Sequence, residues 1–340
     1  MSKPRLGFLG VGWIGRHRMQ AIAESGHAVV AAIAEPVAEA RKAALEVAPD
    51  AKAVESFEAL LDLELDGVVI ATPSALHAEQ SVQALERGMA VFCQKPLGRS
   101  AGEVRQVIDA AAHADRLLGV DLSYRFTVGM QKIRELVQQG ELGEVFGVNL
   151  VFHNAYGPDK AWFYDPARAG GGCVMDLGIH LVDLALWTLG FPEIERVSST
   201  LMAQGKPLGV GAVEDYAAAQ LELSSGAAVQ LACSWKLPAG CDCIIEASFY
   251  GTRGGASFKS VGGSFYDFVA ERFRGTQREV LASPPEAWGG RAAVDWAARL
   301  AQRPGFDVEI SCLEQTAEAL DRIYAREERG LEQVASTSLG

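Results

Sequence analysis

The amino-terminal stretch that decides the fold class reads Arg5-Leu6-Gly7-Phe8-Leu9-Gly10-Val11-Gly12-Trp13-Ile14-Gly15. The apolar run at its start predicts a buried β-strand, and glycines in a G-x-G-x-x-G spacing follow at once. In this spacing the first glycine permits a tight turn, the second lets the backbone approach a pyrophosphate, and the third allows close packing of helix on strand. The stretch therefore predicts a strand, a phosphate-binding turn and a helix. A glycine-rich turn that binds nothing is the alternative.

The same strand-and-helix alternation continues to about residue 121. Further apolar strands are predicted at 28–34, 67–71, 90–93 and 117–121, with alanine-rich helical patterns between them. Strands that are apolar throughout and separated by helices form a parallel sheet covered on both faces. We therefore expect residues 1–121 to form a doubly wound α/β domain of the Rossmann type that binds a dinucleotide.

The sequence pattern changes after residue 121 to strand-like runs joined by short turns, so residues 122–340 are predicted to form a second domain. Short turns such as 224–226 join its strand-like runs, which indicates antiparallel neighbours in an α+β domain with one large, mostly antiparallel open sheet. The predicted strands are 145–153, 194–203, 216–223, 227–235 and 243–250, and the predicted helices lie near 128–139, 292–301 and 312–327. A sheet with so much open face or edge usually needs a partner, so we expect a homo-oligomer.

Composition limits the classes of function. The formal net charge of -12 and the lack of a basic stripe argue against a nucleic-acid partner. No unbroken run of about 18 apolar residues is present, and the start of the chain has no signal-peptide pattern, so we expect a cytoplasmic protein without a membrane partner. The six cysteines are scattered without C-x-x-C spacing, which indicates reduced thiols.

The end of the second strand indicates which dinucleotide binds. Glu35 follows Gly15 by 20 residues, where an acid would accept hydrogen bonds from the adenosine ribose diol and repel a 2′-phosphate. NAD is therefore expected over NADP, although Arg41 and Lys42 lie nearby. The residues expected to bind the cofactor are Gly10, Gly12, Trp13, Ile14, Gly15, Glu35, Thr72, Pro73, His77, Gln94 and Lys95.

Two further loops follow strands of the first domain. Open α/β sheets bind ligands beyond the carboxyl ends of their strands, so Thr72-Pro73 and Lys95-Pro96 should line the nicotinamide half of the cleft. His77, at the end of the first of these loops, is expected to pack beneath it rather than to act in catalysis. The proline restricts the backbone at Lys95, and the bond between them is a candidate for the cis form.

A glycine-rich helix start at Gly170 precedes the most unusual polar residues of the second domain. At 3.6 residues per turn, Asp176, His180 and Asp183 share one face of a helix that is otherwise apolar and therefore buried. Burial of an unpaired polar group costs several kcal/mol. Three explanations stay open: a satisfied pair within the core, two ligands of a metal, or a catalytic pair in a cleft.

These segments together resemble the family of glucose-fructose oxidoreductase, inositol dehydrogenase and their relatives, over nearly the whole chain. The motifs that carry the resemblance are Gly10–Gly15, Thr72-Pro73 with His77, Lys95-Pro96, Tyr124-Arg125, Gly140–Gly143 and Gly170–His180. The resemblance implies an N-terminal Rossmann-type domain, a C-terminal domain built on a large open sheet, and a dimer or tetramer formed through that sheet. It also implies hydride transfer at a carbinol carbon of a sugar, a cyclitol or a related polyol.

The resemblance also implies roles for three residues. Lys95 matches the lysine of the family's E-K-P motif, and Asp176 and His180 match its aspartate and histidine. His180 would act as the general base, Lys95 would donate a hydrogen bond to the reacting oxygen, and Asp176 would orient His180 or bind a substrate hydroxyl. A metal is not expected, because no third ligand accompanies Asp176 and His180.

The chain departs from the family pattern at Gln94, where glutamate is common, so one negative charge is missing beside Lys95. The resemblance places several side chains near the substrate: Arg125, His153, Asn154, Trp162, Tyr164 and Arg168. Two other functions fit the same fold, namely glycoside cleavage with recycled NAD and a regulator that senses a dinucleotide or sugar without catalysis. The presence together of Lys95, Asp176 and His180 argues against the regulator.

Overall fold

The computed structural model describes residues 3–325. The chain divides into two compact units. The first contains the residues up to Phe126 together with Ala287–Ser311, and the second contains Thr127–Glu286 and the chain from Cys312 onward. The chain therefore leaves the first unit after Phe126, builds most of the second, returns to the first over Ala287–Ser311, and enters the second again at Cys312.

Strands and helices alternate along the first unit, as predicted. The order is β1 (Arg5–Leu9), α1 (Trp13–Ser25), β2 (Val29–Ala34), α2 (Ala38–Val47), β3 (Lys52–Val54), α3 (Phe57–Leu61), β4 (Gly67–Ile70), α4 (Ser74–Glu86), β5 (Ala90–Cys93), α5 (Ala101–Ala114) and β6 (Leu118–Val120). The strands pair in parallel in the order β3-β2-β1-β4-β5-β6. This order confirms the doubly wound Rossmann-type class. The short strand β3 carries too few apolar residues to be predicted.

The second unit is built on one mixed sheet. Its elements are α6 (Val128–Gln138), β7 (Val145–Asn154), α7 (Pro166–Ala169), a π-helical turn (Val174–Gly178), α8 (Ile179–Leu189), β8 (Ile194–Ala203), β9 (Lys206–Pro207), β10 (Tyr216–Leu223), β11 (Ala228–Ser234), β12 (Cys243–Gly251), β13 (Gly255–Ser260), β14 (Phe268–Arg274), β15 (Gln277–Ala282) and, after the return segment, α10 (Leu313–Ile323). The strand order is β15-β14-β13-β12-β7-β11-β10-β8-β9, antiparallel except for the β7–β11 pair. A large, mostly antiparallel sheet is thus confirmed, while β13 to β15 extend it beyond the predicted strands.

The two faces of this sheet differ in burial. On β7, Val148, Leu150 and Phe152 are buried, and α8 packs against this side of the sheet. The alternate residues Asn149 and Gln230, which pair across β7 and β11, are exposed. Because side chains alternate between faces along a strand, one face forms the core and the other is open.

The return segment corrects the predicted division at 1–121 and 122–340. It contains α9 (Arg291–Gln302), predicted as part of the second domain, yet this helix belongs to the first unit. Trp296 is buried with its ring centroid 5.6 Å from that of Phe92 on β5, and Leu300 joins the same core. The helix completes the apolar cover of the parallel sheet, which local sequence patterns could not reveal.

One helical run of the described chain is long and apolar enough, by composition alone, to cross a bilayer. It is Pro166–Leu189, and most of it is buried inside the protein. This run is not an unbroken apolar stretch, because Asp176, His180 and Asp183 interrupt it. Extensive burial within the fold is typical of a core helix in a large domain.

Candidate active site

The glycine-rich turn after β1 has the geometry that a pyrophosphate needs. Gly10 has a φ of 80°, in the left-handed region, and a Cβ atom there would lie 2.7 Å from the carbonyl oxygen of Ala71. Gly12 is the N-cap of α1, and no side chain caps this helix. The first-turn N–H groups, those of Trp13, Ile14 and Gly15, are therefore available to an anionic ligand. The turn fits the dinucleotide predicted for it.

Glu35 is held against this turn. Its carboxylate accepts hydrogen bonds from the N–H of Val11 at 2.8 Å and from the N–H of Val37 at 2.9 Å. A carboxylate has further lone pairs, so these bonds leave capacity for a ribose hydroxyl. Arg41 donates to the carbonyl oxygen of Glu35 at 2.7 Å, which places a cation beside the same position. The site therefore contains both an acceptor for the diol and a positive charge.

His77 ties two loops of the first unit together. The side chain is 1% exposed, with Nδ1 2.6 Å from the carbonyl oxygen of Pro96 and Nε2 2.7 Å from that of Thr72. Burial lowers the pKa of His77, and the two carbonyl oxygens oppose that effect. Both ring nitrogens are engaged with the backbone, so His77 links the Thr72 and Lys95-Pro96 loops, and a cofactor contact by this residue stays a prediction. The Lys95-Pro96 bond is cis.

Gln94 belongs to a buried polar network at the carboxyl ends of β5 and β6. Its Nε2 donates to Oδ2 of Asp121 at 2.5 Å, and Nε of Arg18 donates to the same oxygen at 2.6 Å. The hydroxyl of Ser123 donates to Oδ1 at 2.6 Å. Asp121 is 1% exposed, so its charge depends on these donors. The amide at position 94 therefore fills a place where a carboxylate would face another carboxylate.

The helix after the triple glycine begins with a π turn. The N–H of Ile179 reaches the carbonyl oxygen of Val174, five residues back. From Gly171 to Leu186, every residue except Asp176 and His180 is buried. Asp183 is 1% exposed, so it does not share the partial solvent exposure of Asp176 and His180. The π turn lies between Val174 and Gly178, so the spacing from Asp176 to His180 departs from the 3.6 residues per turn assumed for it. Such π turns are frequent at functional sites.

Asp176 has a partner that the sequence did not reveal. The indole N–H of Trp235 donates to Oδ2 of Asp176 at 3.1 Å, and Trp235 is itself 3% exposed. The rings of Phe163 and Tyr164 meet that of Trp235 edge-on, at centroid distances of 6.3 and 5.6 Å. A polar aromatic residue at the end of a predicted strand was the available signal for Trp235.

Trp162 extends this aromatic cluster. Its ring stacks on that of Phe163 at a centroid distance of 3.8 Å, in a 3-10 turn that runs from Ala161 to Tyr164. Lys236 lies over the ring of Tyr164 at 5.0 Å. The predicted substrate residue Trp162 therefore connects through Phe163 and Trp235 to Asp176.

The other predicted substrate residues lie on several elements of the two units. Asn154 accepts a hydrogen bond from the N–H of Tyr156 at 2.7 Å and shapes the turn after β7. Arg168 is exposed on α7, and Arg125 belongs to the first unit. Nδ1 of His153 lies 2.8 Å from the hydroxyl of Ser234. The adjacent residue Phe152 faces the other side of the sheet, and its ring centroid lies 6.4 Å from that of His180.

Asp176 and His180 have the i, i+4 spacing of two metal ligands, but a metal site needs further ligands. Within residues 3–325, no group of three or more histidine, cysteine, aspartate or glutamate side chains could hold a metal ion. A protein zinc site supplies at least three ligands. The described residues therefore offer no metal site that includes this pair.

Comparison with protein families matches both parts of the chain. Residues 5–122 match an oxidoreductase family with an NAD-binding Rossmann fold, and residues 130–257 match the Gfo/Idh/MocA C-terminal domain. Inositol 2-dehydrogenase of Rhizobium meliloti (strain 1021) is 27% identical over 251 residues, covering 74% of each protein. A D-xylose 1-dehydrogenase (NADP(+)) of Haloferax volcanii is 36% identical over 236 residues, covering 68% of this chain and 70% of the relative.

A solved structure has the same fold over nearly the whole chain. Levoglucosan dehydrogenase in complex with NADH and levoglucosan superimposes with a TM-score of 0.82 at 21% identity, covering 95% of this chain and 97% of the other. Both family matches together span more than half of the chain, in the order and at the positions of its two units. The chain therefore belongs to the Gfo/Idh/MocA family and is an NAD(P)-dependent oxidoreductase.

Proposed function

We propose that this enzyme transfers a hydride between a carbinol carbon of a sugar, cyclitol or similar polyol and NAD, with Lys95, Asp176 and His180 in the catalytic roles. The observation that supports this most is the burial pattern of the second unit. On a helix buried from Gly171 to Leu186, Asp176 and His180 alone retain exposure to solvent. A carboxylate and an imidazole kept accessible on a core helix suit proton transfer.

Each residue has a distinct task. The imidazole of His180 takes the hydroxyl proton in the oxidative direction, since a histidine exchanges protons near neutral pH. Asp176, held by the indole of Trp235, orients that imidazole or accepts a hydrogen bond from a neighbouring substrate hydroxyl. Lys95 donates to the reacting oxygen and stabilises negative charge on it. Bound NAD supplies the hydride acceptor at its nicotinamide ring.

The residues around Asp176 support the proposed substrate class. An aromatic ring such as that of Trp162 suits the apolar face of a sugar or cyclitol, while polar groups bind its hydroxyls. Arg125, Asn154 and Arg168 remain the proposed substrate contacts alongside it. The substrates of the similar enzymes support the same class, since inositol, xylose and levoglucosan all carry several hydroxyls.

The cofactor preference rests on Glu35. Its carboxylate is fixed beside the glycine-rich turn, where it would accept from the ribose diol of NAD and repel the 2′-phosphate of NADP. Arg41 weakens this preference, because it places a positive charge next to Glu35. We therefore propose NAD as the better cofactor rather than the exclusive one.

Purified enzyme is expected to form NADH with at least one member of a panel of sugars, inositols and sugar acids. The kcat/KM for NAD should exceed that for NADP by about 10-fold, equivalent to about 1.4 kcal/mol. Initial rates at 340 nm measure both quantities. Titration with NADH and with NADPH, monitored by intrinsic protein fluorescence, measures cofactor binding without a substrate. The proposal fails if neither cofactor binds, and glycoside cleavage without net NADH formation would select the redox glycosidase instead.

We also propose that the open face of the large sheet joins copies of the chain into a dimer or tetramer. This face carries short, polar or small side chains, among them Asn149, Ala218, Gln230 and Ala232. A broad, flat face of this kind buries easily against a second copy of itself.

Substitution Ala232→Arg is expected to lower the assembly to a monomer or a smaller oligomer, because it places charges on this face of each copy. Size-exclusion chromatography with light scattering measures the mass. Ala112→Arg, on the exposed side of α5, is the matched control and should leave the mass unchanged. A monomeric wild-type enzyme at micromolar concentration would contradict the proposal.

A further inference from the structure

The start of the π turn is held by two residues from distant parts of the second unit. The first N–H groups of a helix have no partner within it and must find one elsewhere. The carboxylate of Glu214 accepts from the N–H of Gly172 at 3.0 Å and from that of Val174 at 2.9 Å. The backbone carbonyl of Glu214 accepts from the N–H of Cys173 at 3.0 Å.

Tyr324 completes this cap. Its hydroxyl oxygen accepts from the N–H of Met175 at 3.2 Å, and its O–H donates to Oε1 of Glu214 at 2.7 Å. Four consecutive N–H groups, from Gly172 to Met175, are thus all satisfied. The N–H of Asp176 is next in the chain and bonds the carbonyl oxygen of Gly172 at 3.1 Å. The bonds of the cap therefore end at the residue before Asp176.

The cap explains two of the three glycines. A Cβ atom on Gly171 would overlap the hydroxyl of Tyr324, and one on Gly172 would overlap the backbone carbonyl of Glu214. Gly170 has a different reason, since its φ of 84° lies in the left-handed region. The small residues at 171 and 172 therefore admit Glu214 and Tyr324 to the end of the helix.

The cap also places the carboxyl group of Glu214 at the buried N-terminus of the helix. Glu214 is 1% exposed and Tyr324 is 6% exposed. Burial raises the pKa of Glu214, while the hydrogen bonds from Tyr324, Val174 and Gly172 oppose that effect. A carboxylate at a helix N-terminus also lies at the positive end of the helix dipole, which favours its charged form.

We propose that Glu214 and Tyr324 are positioning residues for the reaction. They hold the π turn in place, and the turn fixes Asp176 and, four residues later, His180. This inference rests on the proposed function, because it requires Asp176 and His180 to act on the substrate. A displacement of about 1 Å at a reacting group can lower a rate by about 100-fold. Because the cap ends at the residue before Asp176, its loss should displace Asp176 and lower kcat.

The test uses Tyr324→Phe, Glu214→Gln and Glu214→Ala in the full-length enzyme. Tyr324→Phe keeps the ring and removes both hydrogen bonds of the hydroxyl, so kcat is expected to fall by about 10- to 100-fold. The KM for NAD should change less than 2-fold or so, because Glu35 and the glycine-rich turn belong to the first unit. Glu214→Gln retains one acceptor oxygen and should preserve more of kcat than Glu214→Ala.

Hydrogen–deuterium exchange gives a second readout that does not depend on activity. Faster exchange is expected in the peptide that contains residues 171–180 of Tyr324→Phe. The control is Phe258→Leu, a core change on β13 in the same unit that should lower Tm but leave kcat and this peptide unaffected. If Tyr324→Phe does not fold, Glu214→Gln decides the question.

The outcomes separate this inference from the proposed function. An active wild-type enzyme whose Tyr324→Phe and Glu214→Gln variants keep kcat within 2-fold or so would overturn the positioning role alone. Unchanged exchange of residues 171–180 in both variants would overturn the cap itself. If His180→Ala is as active as the wild-type enzyme, the proposed function fails, whatever the exchange shows.

Discussion

Substitution His180→Ala is expected to lower kcat by a factor of about 10² to 10⁴, the range typical for loss of a general base. The side chain is partly exposed on a helix that is mostly buried, so its loss should lower turnover more than stability. Initial rates of NADH formation on the best polyol measure the effect, with Tm recorded in parallel. Added imidazole should restore part of the rate, because the small base can occupy the space that the side chain leaves.

His113→Ala is the control for this prediction. His113 lies on α5, where its Nδ1 is 2.7 Å from the carbonyl oxygen of Asp109, and its removal should leave turnover unchanged. Full activity of His180→Ala would reject the assigned base. Loss of wild-type activity in EDTA would instead indicate a metal-dependent reaction.

Gln94→Glu, which introduces the residue common in the family, is expected to destabilise this enzyme. The new carboxylate would face Asp121, whose Oδ2 now accepts from Nε2 of Gln94 and from Nε of Arg18. A buried donor is lost and a second negative charge is added, so we expect a loss of about 1–3 kcal/mol in the free energy of unfolding. Chemical denaturation near neutral pH measures it.

The pH dependence of this variant has a definite sign. Burial and the neighbouring Asp121 would raise the pKa of the introduced carboxyl above its unfolded value of about 4.3. The folded variant then binds more protons than the unfolded one between these two pKa values, and its stability falls as pH rises through that window. The difference in stability from the wild-type enzyme should therefore shrink on acidification toward pH 4.5 or so.

A second substitution provides the control. Asp121→Asn in the Gln94→Glu background restores one carboxylate and one amide beside Arg18, and it should recover part of the lost stability. Asp121→Asn alone leaves Arg18 buried at 6% exposure without its counterion and should be destabilising. A Gln94→Glu variant as stable as the wild-type enzyme would contradict this account of the network.

The dinucleotide half of the enzyme could be predicted because its signals are local. The apolar run before Gly10, the glycine spacing and Glu35 lie within a few dozen residues, and they specify strand, turn and ligand position together. The carboxyl ends of parallel strands share one edge of a sheet, so Thr72 and Gln94 could be placed at the same edge from strand positions alone.

The second unit was harder to predict because long-range contacts decide its geometry. Glu214 lies 42 residues from Gly172 and Tyr324 lies 149 residues from Met175, and no local pattern links them. The π turn breaks the period of 3.6 residues that was assumed between Asp176 and His180. His153 and Asn154 show the same limit, since adjacent strand residues face opposite sides and only the pairing of β7 with its neighbours settles which side is covered.

Because α9 belongs to the first unit, the core of that unit can be completed only late in synthesis. Trp296 and Leu300 belong to the core beneath the parallel sheet, yet the ribosome synthesises them after β15, the last strand of the second unit. Domains generally fold from the amino terminus during synthesis. Here the amino-terminal unit must wait, with apolar surface around Phe92 uncovered, while about 160 residues of another unit emerge. We therefore expect chaperones to be needed most while the dinucleotide-binding unit has emerged but α9 has not yet been synthesised.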